Sequence, residues 1–328
     1  MRIKQRIEKI PGGMMIVPLF IGTLTRAIYP NPVEPTAFLP GFTGHYLTGT
    51  SVILFVFFFC VGTTINLKSS GYIAKKGLSL LISKVILAGV LGVIIGHLLP
   101  TEGITSGLFA GLSALAVIAS FNETNGGLYM ALMTSLKRDE DAAGFPFISI
   151  ESGPFMTMIT MGIAGMAQFP VTALISTLIP FALGIMLGSL DQDFRKFFGP
   201  AVPVLIPFFA FTLGFSINLG AIVQSGFMGI LMGVAVVAIS GGVLSIVDRF
   251  VTGSDGVAGW AASSTAGAAV AVPTAIADMA PKFAPIAVNA TAIVATSVLV
   301  SSILTPLVTM YFEKRARKLG RPIVPTKH

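Results

Sequence analysis

Gly62-Thr63-Thr64-Ile65-Asn66-Leu67 returns 152 residues later as Gly214-Phe215-Ser216-Ile217-Asn218-Leu219, each copy behind a phenylalanine-rich apolar run. The shared core is Gly-x-[Ser/Thr]-Ile-Asn-Leu, and its polar asparagine matches along with the apolar positions, which argues against chance likeness between two greasy stretches. The same shift carries the second apolar span of the chain onto the seventh and, approximately, the fourth onto the ninth. The repeat unit is therefore five spans. An odd-numbered unit inserts its second copy upside down, the inverted-repeat plan of secondary transporters. This predicts residues 1–169 as one half and 170–328 as its inverted partner.

Working outward, the whole chain has the composition of a polytopic membrane protein. Of its 328 residues 54% are hydrophobic and 11% charged, and the mean hydropathy is +0.87. A soluble domain carries about 25% charged residues, so a soluble enzyme is excluded, as is a disordered chain. A spanning helix needs about 20 apolar residues, and the candidates are 12–29, 46–65, 77–99, 105–136, 145–167, 171–190, 197–217, 227–247, 256–279 and 286–312. An even count puts both termini on one side. With both inside, 18 of the 21 Lys and Arg residues face the cytoplasm, including Lys68, Lys75, Lys76, Lys137, Arg138, Arg195, Lys196 and Arg249, as the positive-inside rule requires. Only Arg26 and Lys282 fall outside, and Lys84 lies within a span. The net charge of +7 is thus a membrane-orienting signal, and nucleic-acid binding is not expected. The N-terminal apolar stretch resembles a signal peptide but begins with Pro11-Gly12-Gly13 and lacks an A-x-A cleavage pattern, so it reads as a retained helix. The single Cys60 reads as a small buried hydrophobe.

Spans four and nine are interrupted. Asn122-Glu123-Thr124-Asn125-Gly126-Gly127 divides the fourth, and Ser263-Ser264-Thr265-Ala266-Gly267 leads through small residues to Pro273 in the ninth, where the missing N–H is expected to break the helix. Non-helical backbone at membrane depth survives only inside protein or along a cavity, and paired interruptions in two halves point to a transport site. A half-helix beginning at Asn125-Gly126-Gly127 would aim free N–H groups at an anion; the competing use of the glycines, and of Ser263-Ser264, is close helix packing. Candidate substrate-binding residues are Asn122, Thr124, Asn125, Gly126, Gly127, Ser152, Ser263, Ser264 and Thr265. Candidate proton-coupling residues are Glu151, Glu123 and Lys84, because charges at such depth face a cavity or a partner. Lys84 could instead pair with Glu151 or Glu123 as a structural bridge, or extend its amine to the inner face. Asp139-Glu140-Asp141, beside Lys137 and Arg138, reads as a solvated charge run. Asp278 and His97 read as interfacial, and Trp260 and Phe57-Phe58-Phe59 as packing. No G-x-x-x-x-G-K-[ST] loop, H-E-x-x-H pair or cysteine cluster occurs, so neither an ATP-binding loop nor a metal site is expected, and a membrane-embedded enzyme lacks its nucleophile or metal set.

Several strings resemble the bacterial 2-keto-3-deoxygluconate permeases, in order along nearly the whole chain. They are Ile7-Glu8-Lys9-Ile10-Pro11-Gly12-Gly13-Met14-Met15, Thr124-Asn125-Gly126-Gly127-Leu128-Tyr129, Glu151-Ser152-Gly153-Pro154 and Ala261-Ala262-Ser263-Ser264-Thr265-Ala266-Gly267-Ala268-Ala269-Val270-Ala271. The resemblance implies a proton symporter of the bacterial inner membrane that imports 2-keto-3-deoxygluconate, a sugar-acid monocarboxylate. It also implies kinship with the bile acid:sodium symporter superfamily, in which spans four and nine cross at their breaks inside a core and a panel of spans one, two, six and seven moves against it. The chain departs from the family pattern where Asp often stands at the position of Asn122 and an apolar residue at that of Glu123, which leaves Glu151 the first candidate for the proton carrier. A sodium-coupled organic-anion symporter would share this fold, so sodium is the alternative coupling ion; a passive channel would need neither paired half-helices nor buried carboxylates. The expected partners are a small sugar acid and the lipid bilayer, and the sequence sets no oligomeric state.

Overall fold

The computed structural model describes residues 2–8, 13–65, 71–100, 102–151, 153–216 and 219–321. The motif residues Asn66, Leu67, Ile217 and Asn218, the candidate Ser152, the Lys9-to-Gly12 stretch, Lys68 and Lys327 lie outside these described residues. All regular structure among the described residues is helical. The first half holds α1 (Gly13–Ile28), α2 (Phe42–Thr48), α3 (Thr50–Thr64), α4 (Gly71–Leu98), α5 (Ala114–Asn122), α6 (Gly126–Ser135) and α7 (Pro154–Ile163). The second holds α8 (Val171–Leu190), α9 (Gln192–Phe198), α10 (Ala201–Ser216), α11 (Leu219–Ala235), α12 (Gly241–Thr252), α13 (Val257–Ala261), α14 (Val272–Met279) and α15 (Ala284–Lys318).

Among the described residues, four helical runs are long and apolar enough to cross a bilayer: Gly71–Leu98, Val171–Leu190, Gly226–Thr252 and Pro281–Lys318. Two further pairs, α2 with α3 and α9 with α10, qualify when joined, with bends of 72° and 40°. The chain is a multi-pass membrane protein, and shorter apolar helices lie at Val17–Ile28, Pro154–Ile163 and Ala268–Met279. Helix α1 packs along α10 and α3 along α8, while α4, α5, α7 and α11 to α15 pack on one another.

The repeated glycine explains how the first group closes. A Cβ at Gly214 would lie 1.9 Å from the Leu19 carbonyl oxygen of α1, and one at Gly62 would lie 2.6 Å from the Phe181 carbonyl oxygen of α8. Lipid-facing helices gain little from apolar burial against each other, so close backbone approach through small residues supplies the contact. Gly214→Val and Gly62→Val should each prevent recovery of folded, monodisperse protein, because the obstructing atom is backbone and cannot turn aside. Gly226→Ala, where an added Cβ meets nothing within 4 Å, is the control. Recovery of Gly214→Val at the level of that control would refute the packing argument.

The structure corrects several sequence expectations. Span four does not run from residue 105: Gly103, Gly107 and Gly111 take positive φ, and the helix begins at Ala114, where Ser113 Oγ accepts the Ala116 N–H at 3.2 Å. Pro273 does not break span nine. It sits in the first turn of α14, where its missing N–H costs no hydrogen bond, and helical bonding resumes with a 3₁₀ turn at Ala268–Ala271. The interruption is the five residues before it.

The charge assignments need a larger correction. Asp141 and its neighbour Arg138, in the run that reads as solvated, are buried, as is Lys76, one of the charges assigned to the cytoplasm. Lys76 Nζ lies 2.8 Å from Asp141 and 3.0 Å from Asp248, and Arg138 spans Asp141 at 2.7 Å and Asp255 at 2.6 Å. Ser254 Oγ donates to Asp248 and accepts from Lys76. This clasp ties the N-terminal end of α4 and the segment after α6 to the last turns of α12 and the loop between α12 and α13. Buried ions persist only when paired in this way. Phe57 and Phe58 pack against Phe209 and Phe181, Trp260 stacks on Phe312 at 4.1 Å, Cys60 is buried, and His97 and Asp278 are exposed, all as their sequence context suggests.

Candidate functional site

Two interrupted helices cross near the middle of the second group. Helix α5 stops at Asn122 because Glu123 turns extended (φ −118°, ψ 139°), and α6 restarts behind Asn125, whose side-chain oxygen caps it by accepting the Leu128 N–H at 3.1 Å. Helix α13 stops at Ala261, and Ser263 to Gly267 run without helical bonding to the next turn. The freed backbone groups then satisfy each other, as membrane burial demands. Ala266 N–H donates to the Glu123 carbonyl at 3.1 Å, Asn125 N–H to Ser264 Oγ at 3.1 Å, and Thr265 Oγ1 to the Ser120 carbonyl at 3.0 Å.

A third break brings a carboxylate to the crossing. Ser149–Glu151 forms one 3₁₀ turn, Gly153 takes φ 100°, and Pro154 opens α7. Glu151 Oε1 accepts the Thr124 N–H. Asn122 Nδ2 donates to Thr157 Oγ1 at 3.1 Å. Glu123 is fully buried, with the Gly153 N–H beside its carboxylate; among the described residues no donor bonds Glu151 Oε2 or Asn122 Oδ1. Buried acceptors are ordinarily paired, so this cluster is rich in unspent acceptor capacity.

Lys84 enters from α4 and takes neither route the sequence offered. No ion pair joins it to Glu123 or Glu151 among the described residues, and its amine is fully buried. Its Nζ donates instead to Thr124 Oγ1 at 3.0 Å, to the Ala262 carbonyl at 3.0 Å and to the Ser264 carbonyl at 2.6 Å.

The crossing separates the candidates by access. Asn122, Glu123, Thr124, Glu151, Ser263, Ser264, Thr265 and Lys84 are buried, Asn125 and Gly126 are half-buried, and Gly127 is exposed. Gly126 serves packing: a Cβ there would sit 2.1 Å from the Phe145 ring, whereas at Gly127 the nearest atom would be Asn125 Oδ1 at 3.7 Å. The open face is therefore the start of α6, where the first N–H groups of a helix lack intrahelical acceptors. A cavity of about 330 Å³ lies away from it, between His97, Lys282, Met166 and the first residues of α5. Sequence reading missed the polar ladder that backs the crossing, Ser297, Ser301, Thr305 and Thr309, all buried on α15. Thr265 binds two of its hydroxyls, through its N–H to Ser301 at 3.0 Å and through Oγ1 with Ser297 at 2.8 Å. The four-residue spacing, which puts such side chains on one helix face, was the available signal.

A family model described as 2-keto-3-deoxygluconate permease matches residues 4–318. The 2-keto-3-deoxygluconate permease of Bacillus subtilis (strain 168) is 55% identical over 328 residues, covering 100% of this chain and 98% of the relative. That of Pectobacterium carotovorum subsp. carotovorum (strain PC1) is 50% identical over 315 residues, with 96% and 98% covered. That of Escherichia coli O7:K1 (strain IAI39 / ExPEC) is 47% identical over 317 residues, with 97% and 96% covered.

Proposed function

Because the chain belongs to the 2-keto-3-deoxygluconate permease family, and so is a transporter and not an enzyme, we propose that it imports 2-keto-3-deoxygluconate by proton symport and alternating access across the bacterial inner membrane. The observation that carries the proposal is the crossing itself: two broken helices, bonded to each other, with buried Glu123 and Glu151 beside the open N-terminus of α6. That N-terminus, with the Asn125 amide, suits a sugar carboxylate and its hydroxyls. Glu151 takes the coupling proton. A proton bound at Glu151 or Glu123 gives this buried cluster a further donor, which Glu151 Oε2 lacks among the described residues. The buried Asn122, Thr124, Ser263, Ser264 and Thr265 hold the crossing and line it from behind.

The transport motion in this reading is a panel of α1, α3, α8 and α10 moving against the remaining helices, built as inverted halves of five spans within a ten-span chain whose two ends are cytoplasmic. A matched pair of contacts supports the inversion. Arg26 donates to the Phe215 carbonyl at 3.1 Å, and Arg195 to the Thr63 carbonyl at 3.3 Å. Phe215 follows Thr63 by the repeat shift of 152 residues, and the charge distribution puts Arg26 outside and Arg195 inside. An arginine thus meets the equivalent carbonyl on opposite faces.

Substrate contact is tested at Asn125. Asn125→Ala removes the amide and the α6 cap, worth about 1 kcal/mol, and should raise the apparent Km for labelled 2-keto-3-deoxygluconate about tenfold, or about 1.4 kcal/mol, with membrane insertion unchanged. Unaltered uptake kinetics would remove Asn125 from the site.

A further inference from the structure

We propose that the Lys84 ammonium is a resident cation that fills the place a coupling sodium ion would occupy at the helix crossing. The inference rests on the transport reading above and deepens it by choosing between the two coupling ions.

The geometry is that of a caged cation. Lys84 is fully buried on a helix that is not itself broken, and its three acceptors are a hydroxyl and two backbone carbonyls between 2.6 and 3.0 Å. An ammonium has three N–H donors and no acceptor; a neutral amine has two, so three acceptors match the charged form. The two carbonyls belong to Ala262 and Ser264, just past the C-terminus of α13. The end of a helix carries partial negative charge, and unwound carbonyls at half-helix ends are the groups that coordinate sodium in secondary transporters. The third acceptor, Thr124, belongs to the other broken segment and also donates its N–H to Glu151. One positive charge therefore bridges both breaks and balances a carboxylate without contacting it. A sodium ion would need the same oxygens. With the lysine in place they are spent.

Removing the side chain should vacate a small oxygen cage next to buried carboxylates, and the protein should then respond to sodium, which the native chain ignores. The test uses full-length protein in proteoliposomes and compares wild type, Lys84→Ala and Lys84→Met, in choline and in sodium media. The first readout is counterflow exchange of labelled 2-keto-3-deoxygluconate. The second is thermal stability of the detergent-purified protein, since a ligand that binds only the folded state raises Tm. Wild type should exchange equally in both media, with a Tm indifferent to sodium. Lys84→Ala should lose about tenfold in choline and recover severalfold with sodium or methylammonium, with a matching rise in Tm. Lys84→Met fills the cage with a side chain that cannot donate, and should stay low in every medium.

Sodium-dependent exchange by wild type would overturn the inference. So would full exchange by Lys84→Ala in choline, or a folded Lys84→Ala indifferent to sodium and methylammonium in both readouts. If Lys84→Ala fails to assemble, its recovery by sodium or methylammonium during extraction becomes the readout, and failure with both counts against the proposal. A wild type that exchanges no 2-keto-3-deoxygluconate in any medium defeats the transport reading instead, and the Tm readout still decides the question of the lysine.

Discussion

Glu151→Gln is expected to abolish accumulation of 2-keto-3-deoxygluconate on an imposed pH gradient while leaving substrate binding and counterflow measurable. The substrate is a monoanion, and a negative-inside potential opposes its entry by about 2.3 kcal/mol per 100 mV. In the proposed symport one accompanying proton cancels that opposition, and its carrier must gain and lose it within each cycle. Glu151 is buried at the crossing, has one oxygen on the Thr124 N–H and the other without a donor. Glutamine keeps the shape and resembles the protonated side chain, so the site should still form and exchange substrate, but without release of a proton. Retained accumulation on the pH gradient would make Glu151 structural and move the role to Glu123, the other buried carboxylate of the crossing.

The largest loss of stability is expected at the charge clasp. Arg138→Met leaves Asp255 without the guanidinium that binds both its oxygens, at 2.7 and 2.6 Å, and takes away the Asp141 contact at 2.8 Å. Removing one member of a buried ion pair costs about 3–5 kcal/mol, because the other charge stays desolvated. Replacing both members with apolar side chains often costs far less, so Arg138→Met with Asp255→Leu should recover about half of the loss or more. Denaturation of the purified variants in detergent measures this. Equal stability of Arg138→Met and wild type would show that the clasp contributes nothing to the fold.

The helix breaks were legible because amide, carboxylate and paired glycines stand out inside apolar runs, and Asn122 to Gly127 fall where the helix stops. The repeat carries one glycine to two matching close approaches, Gly62 on α8 and Gly214 on α1, but a repeated motif does not display which helix it will meet. The point where span nine breaks was misplaced: a proline marks either an interruption or a first turn, and only the hydrogen bonding upstream of Pro273 decides which. The clasp was hidden for another reason. Lys76 finds Asp248 across 172 positions, and a charge near a span end looks solvated until its partner is known. Lys84 was singled out for its depth, yet its partners are two carbonyls and a hydroxyl, and sequence does not display carbonyls.

The account is tested most directly by uptake of labelled 2-keto-3-deoxygluconate into proteoliposomes holding the purified wild-type chain, under an imposed pH gradient or an imposed sodium gradient. It predicts transient accumulation when the lumen is alkaline, collapse of that accumulation with a protonophore, and no accumulation on sodium alone. Accumulation driven by sodium with the pH gradient clamped at zero, or only equilibration under every gradient, would contradict it.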